Sequence, residues 1–167
     1  VYNGDSLTCS ATVTDPDETL TISYEWTNGT TSLTTGSSID LSSYSINPAD
    51  VITCTASVAD SDGGSATEST TKIIQNRAPS VDSVIIDNTT PFADSTITCS
   101  ASVSDDDGES LSPSYEWTVG TNVVGTSATL TLTPSIASVG DTVICTATVE
   151  DGYGESDSTT ASASVQN

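Results

Sequence analysis

The sequence predicts an all-β chain of two tandem β-sandwich domains, and three observations carry that expectation. Hydrophobic residues make up 34% of 167, aromatics 5%, and Met and His are absent, which is poor material for an amphipathic helical bundle. Ser and Thr supply 59 residues, and many of the Thr alternate with Val, Ile, Leu or Ala, as in strands with one wet face. The third observation is a repeat that fills the chain. Cys9 falls on Cys99, Trp26 on Trp117, Cys54 on Cys145 and Asn76 on Asn167, so a unit of about 90 residues occurs twice. The flanking text agrees: Leu7-Thr-Cys-Ser-Ala-Thr-Val matches Ile97-Thr-Cys-Ser-Ala-Ser-Val, and Ser23-Tyr-Glu-Trp-Thr matches Ser114-Tyr-Glu-Trp-Thr. The predicted domains are residues 1–76 and 77–167.

Within the first copy the strands follow in order. Leu7, Cys9, Ala11 and Val13 alternate inward, then Ile22, Tyr24 and Trp26, then Ile39 and Leu41, then Ile52, Cys54, Ala56 and Val58. Asp15-Pro-Asp-Glu, Asn28-Gly, Asn47-Pro and Asp62-Gly-Gly punctuate them with turn geometries that a continuing strand cannot adopt. The second copy opens with Arg77-Ala-Pro-Ser-Val-Asp-Ser-Val-Ile-Ile-Asp, which predicts a first strand. The first copy starts at the equivalent of about Pro91 and lacks that strand. The favoured expectation is excision from a longer repeat array; the other is a strand supplied by a neighbouring molecule, since an open sheet edge invites strand addition. The expected partners are thus neighbouring repeats of the same protein, with homopolymer formation by strand addition as one form.

A Cys, a Trp 17 or 18 residues on and a second Cys after 28 more resemble immunoglobulin-like β-sandwiches, in which a disulfide joins the sheets and Trp packs against it. The stretch from Val13-Thr-Asp-Pro-Asp-Glu-Thr-Leu-Thr to Tyr24-Glu-Trp, with the start Asn76-Arg-Ala-Pro, is similar to bacterial and archaeal tandem Ig-like, PKD-like and cadherin-like surface repeats. Ile52 and Val143 stand where antibody domains carry a corner Tyr, which argues against an antibody-type variable domain. The resemblance implies one bridge within each unit, Cys9–Cys54 and Cys99–Cys145, beside buried Trp26 and Trp117; pairing across units is the competing arrangement. Closing a loop of about 45 residues contributes on the order of 4 kcal/mol in the chain-entropy model. Bonds of this kind persist in oxidising surroundings, so the expected location is extracellular or at a cell surface. Zinc is disfavoured, because there is no CxxC spacing and no His.

The net charge of -21, from 23 carboxylates against Lys72 and Arg77, repels phosphate backbones and excludes nucleic acid as a partner. No stretch approaches the roughly 18 apolar residues of a membrane span, so no membrane insertion is expected. Crowded carboxylates favour divalent cations, and Ca2+ is the one cofactor considered. Asp15 and Asp17 lie in the turn before the Trp strand and Asp60 in the turn after the second Cys strand, connections that meet at one end of an Ig-like sandwich. Asp105, Asp107 and Asp151 repeat the arrangement. These six are the expected metal ligands, set against ordinary solvated turns. Arg77, stiffened by Pro79, is placed to reach the acidic turns. Asn28-Gly-Thr and Asn88-Thr-Thr fit the glycosylation acceptor pattern.

Catalysis is not expected. Without His, acyl-transfer triads lose their usual base, and the carboxylates sit in short turns with no cleft to raise one pKa. The leading expectation is a stiff, disulfide-stapled spacer in a long extracellular protein, adhesin stalk or filament. The alternatives are a ligand- or carbohydrate-binding accessory module of a secreted enzyme, for which only Tyr2, Tyr44, Phe92 and Tyr153 remain as sugar-stacking aromatics, and a virus tail-fibre module.

Overall fold

The computed structural model describes all residues from Val1 to Asn167. Its elements are strands apart from one 3-10 turn at Leu41–Ser43, and the chain divides into two compact units, Val1–Asn76 and Arg77–Asn167. Each unit is an Ig-like β-sandwich with a disulfide between its sheets.

The first unit contains β1 (Ser6–Thr8), β2 (Ser23–Asn28), β3 (Thr31–Thr35), β4 (Ser38–Asp40), β5 (Val51–Ala59) and β6 (Ser65–Ile73). One sheet has the order β3-β2-β5-β6 and the other pairs β1 with β4. The second unit contains β7 (Ser80–Ile86), β8 (Thr96–Ser104), β9 (Ser114–Val119), β10 (Asn122–Gly125), β11 (Thr129–Thr131), β12 (Thr142–Glu150) and β13 (Ser156–Ser164). Its sheets are β10-β9-β12-β13 and β11-β8-β7. All of these pairings are antiparallel. The bridge of the second unit joins its second strand to its sixth, with Trp on the third, the relation found in immunoglobulin domains.

Both cores are assembled on the bridges. Cys9–Cys54 and Cys99–Cys145 each hold their Cα atoms 6.5 Å apart, and Trp26 and Trp117 pair directly with Cys54 and Cys145 in the ladder. Trp26 is 3% exposed and Trp117 0%. A buried indole N–H needs an acceptor; Trp26 Nε1 donates to Gly36 O at 2.9 Å and Trp117 Nε1 to Ser127 O at 2.8 Å. Around Trp26 lie Ile39, Leu41, Ile52 and Ile74, and around Trp117 lie Ile97, Leu132, Val143 and Val165. The second unit adds a cluster of Val81, Ala147 and Val149, onto which Val84, Ala101 and Val103 pack.

The run from Leu7 to Val13 departs from the simple reading as a strand. Its side chains keep the expected alternation of part-buried and exposed, yet only Ser6–Thr8 pairs with a neighbour. The equivalent run in the second unit, β8, is nine residues long because β7 lies along it. The difference is in the partner and not in the sequence of the strand itself.

Candidate functional site

Each unit gathers its acidic turns at the end where the β5–β6 or β12–β13 turn meets the connection into the Trp strand. In the first unit Asp15 Oδ1 accepts from the backbone N–H of Asp17 at 2.8 Å and of Glu18 at 3.0 Å. Across from it, Asp60 Oδ1 accepts from Asp62 N–H at 3.0 Å and Gly64 N–H at 2.6 Å. Such bonds from a carboxylate to its own turn are what make Asp a turn former. Glu18 spans the two loops: its Oε1 takes the Ser61 N–H at 2.8 Å and its Oε2 the Ser61 hydroxyl at 3.2 Å. Asp15, Asp17, Glu18 and Asp60 thus line one open depression, with Glu18 committed to Ser61.

The second unit is tighter. Asp151 is 7% exposed, and its Oδ1 accepts from Tyr153 N–H and Glu155 N–H at 2.8 Å each. Asp105 Oδ1 accepts from Asp107 N–H at 2.6 Å, and Glu109 Oε1 from Gly152 N–H at 3.2 Å. Ligand-type oxygens of Asp105, Glu109 and Asp151 lie within 4.8 Å of one another. Asp105 Oδ2 and Glu109 Oε2 are buried and make no hydrogen bond. Charged oxygens in that state are costly unless something positive meets them. The chemistry of the trio, three hard oxygen donors with no sulfur or nitrogen, fits a calcium-type ion.

Asp107, expected among the ligands, is engaged elsewhere. Its carboxylate is fully buried and forms an ion pair with Arg77, whose Nη2 lies 2.9 Å from Oδ1. Arg77 Nε donates to the same oxygen at 3.0 Å, the Arg77 N–H to Oδ2 at 2.6 Å, and Nη2 also to Asp106 O at 2.9 Å. Arg77 neutralises this carboxylate. Glu109 takes the third place in the trio.

A single residue explains the change. Asp15 aligns with Asp105 at one offset and Leu20 with Leu111 at one more, so the second copy carries an extra residue in this turn. Gly108, at φ 86°, occupies a left-handed conformation there that glycine adopts without steric cost, and its N–H closes the turn on Asp105 O at 3.2 Å. The offset change in the repeat was the available signal for Glu109.

Other expected sites are placed as follows. Asn28 is part-buried and its amide nitrogen donates to Asp50 Oδ2 at 2.8 Å, so that nitrogen is already engaged in the fold. Asn88 is exposed and uses only its oxygen, accepting from Thr90 N–H at 3.0 Å. Among the aromatics weighed for sugar stacking, Tyr2 and Tyr44 are part-buried, while Phe92 and Tyr153 are 56% and 46% exposed. Phe92 precedes β8 and Tyr153 lies in the β12–β13 turn, at opposite ends of one sandwich. The role of Tyr24 and Tyr115 escaped the sequence reading: each hydroxyl accepts a backbone N–H, from Ala11 at 3.1 Å and from Ala101 at 3.2 Å, tying the Trp strand of one sheet to the Cys segment of the other.

No family model matches this chain, and no curated protein matches it. Among solved structures it is similar to the three N-terminal domains of the bacteriophage RB49 Highly Immunogenic Outer Capsid protein (Hoc), at 16% identity and a TM-score of 0.36. The match covers 99% of this chain and 55% of that one, so the chain spans about half the length of the structure it matches.

Proposed function

We propose that the chain is a structural, non-catalytic spacer of a protein displayed outside the reducing cytosol, a module of an extended surface protein or filament. The observation that carries this reading is the placement of the bridges. Each joins the two sheets at the centre of the core, beside a buried Trp, and withholds the segment between its cysteines, 45 or 46 positions apart, from any extension of the chain. A module under tension then yields only its outer segments. The carboxylate trio adds a calcium seat that holds two loops of the second unit together, and Asn88 is the glycan acceptor if the chain is exported through a glycosylating pathway. A sugar-binding role has less support, because Phe92 and Tyr153 are a full strand length apart and offer no common platform.

Single-molecule pulling of the whole chain tests the proposal. Oxidised units should unfold in short steps, and reductant should lengthen each step by roughly 150 Å, the extended length of the residues released. Equal step lengths before and after reduction would remove the mechanical role of the bridges. A glycan bound at micromolar affinity and lost in Phe92→Ala or Tyr153→Ala would replace the spacer by a binding module.

A further inference from the structure

Against its 23 carboxylates the chain has two basic residues, Lys72 and Arg77, and they stand five positions apart at the boundary between the units. An endoprotease that cuts after basic residues therefore has two bonds to attack in 167 residues, Lys72–Ile73 and Arg77–Ala78. The fold closes the first by ordinary means. Lys72 lies in the unbroken ladder of β6 with β5. Two positions on, Ile74 is 1% exposed, its N–H donates to Asp50 O at 2.9 Å and its carbonyl accepts from Ala49 N–H at 2.8 Å. The second bond has no such cover. Residues 74–79 form no strand and Ala78 is exposed, the kind of backbone that proteases nick first. What closes it is the Arg77 side chain. A protease of this class draws the basic side chain before the cut into a pocket with a carboxylate at its base. Asp107 already fills that role here. Its carboxylate, 0% exposed, takes Arg77 Nη2 at 2.9 Å, Nε at 3.0 Å and the Arg77 N–H at 2.6 Å, and Asp106 O takes Nη2 at 2.9 Å.

We propose that Arg77–Ala78 is a gated cleavage site for endoproteases specific for basic residues, shut while Asp107 holds Arg77 and open once that grip is lost. To cut there, an enzyme has to take the guanidinium away from a buried carboxylate, which leaves that charge without its partner. It also has to extend the segment, which pulls the Arg77 N–H off Asp107. One ion pair thereby decides whether the connection between the units survives such an enzyme. In the open state water adds across the bond: its hydroxyl goes to the carbonyl carbon of Arg77 and its proton to the nitrogen of Ala78, leaving a new carboxylate and a new amine. The cut falls one residue inside the boundary of the units and outside both loops closed by the bridges, so each unit keeps its disulfide. This goes beyond a spacer role: it names the bond at which the two units part and the class of enzyme that parts them.

The test is limited digestion of the full oxidised chain with trypsin, without added calcium, with the fragments identified by mass. Wild type should be cut at Arg77–Ala78 about a thousandfold more slowly than a capped peptide of residues 74–80, because cleavage waits on local opening. Arg77→Lys keeps a residue that trypsin accepts but loses the planar fork that spans Asp107 and Asp106, and should be cut at this bond roughly tenfold faster than wild type. Asp107→Asn removes the charge from the grip and should be cut about a hundredfold faster. Leu132→Ala, at a core position 1% exposed and away from the pair, is the control for general stability and should speed the cut less than Arg77→Lys does. The proposal is overturned if wild type is cut as fast as the peptide, if Arg77→Lys is no faster than wild type, or if the first cut falls at Lys72–Ile73. It is also overturned if Leu132→Ala is cut faster than Arg77→Lys, which would assign the protection to the stability of the unit and not to the pair. Because the gate stands on an ion pair and not on the bridges, its failure leaves the pulling experiment unaffected.

Discussion

Replacing Glu109 by Gln should stabilise the second unit in chelator and destabilise it, relative to wild type, in calcium. The three carboxylates lie within 4.8 Å of one another. At an effective dielectric of 20, two unit charges at that distance repel by about 3.5 kcal/mol, and Glu109 takes part in two of the three pairs. Relaxation of the loops and salt screening reduce this, so a net gain of about 2 kcal/mol is expected for the variant, a rise of roughly 10 °C in melting temperature for a domain this small. Gln keeps the Oε1 that accepts from Gly152 N–H, so the substitution removes charge without removing that hydrogen bond. In calcium at about a hundred times its dissociation constant, wild type gains about 2.7 kcal/mol by linkage. The variant has lost a charged ligand and gains less, so the order of the two melting temperatures reverses. Calorimetry of both proteins, with chelator and with millimolar calcium at moderate ionic strength, reads all four values. A variant that melts at or below wild type in chelator would refute the crowding argument. Identical wild-type curves with and without calcium would refute the cation.

Two further substitutions probe the scaffold. Tyr115→Phe should cost about 1 kcal/mol, the net worth of its hydrogen bond from Ala101 N–H, seen as a lowered urea midpoint with an unchanged slope; an unchanged midpoint would mean that the tie between sheets contributes nothing. Gly140→Ala should cost about 1 kcal/mol through backbone strain alone, since Gly140 has φ 91° and nothing lies near its added methyl group. At the equivalent position of the first unit Ala49 already bears φ 70°, so Ala49→Gly should be neutral or stabilising, and matching losses at both positions in thermal melts would contradict the strain argument.

The sandwich was legible in the sequence because its inward residues alternate on the strands that carry Cys and Trp. Ile52, Cys54 and Ala56 are buried as that alternation requires, and the cysteine spacing marked the repeat. Strand β6 was illegible for the same physical reason: with all nine residues exposed, Ser65–Ile73 has no apolar face, and only its backbone pairing to β5 makes it a strand. The acidic end was legible as a region and not as a set of neighbouring carboxylates. Composition and turn position brought Asp105 and Asp151 forward, but the choice between Asp107 and Glu109 depended on which carboxylate Arg77 captured. That choice follows from the backbone path around Gly108, a tertiary matter that residue types alone do not specify.

The two units share a skeleton but do not distribute stability over it in the same way. The closed loops are nearly equal, 45 and 46 residues, so the bridges restrict the unfolded chain equally, by on the order of 4 kcal/mol each. The rest differs. The second unit buries Val81, Ala147 and Val149 as an additional cluster and fixes its acidic loop with the buried Asp107 paired to Arg77. In the first unit the matching positions Ala11, Val13 and Val58 are only part-buried, and its acidic loop is held by solvent-exposed hydrogen bonds between Glu18 and Ser61. With 8 buried apolar residues among 76, against 14 among 91 in the second unit, the first unit buries less for each residue it orders and depends on its bridge for a larger share of its net stability.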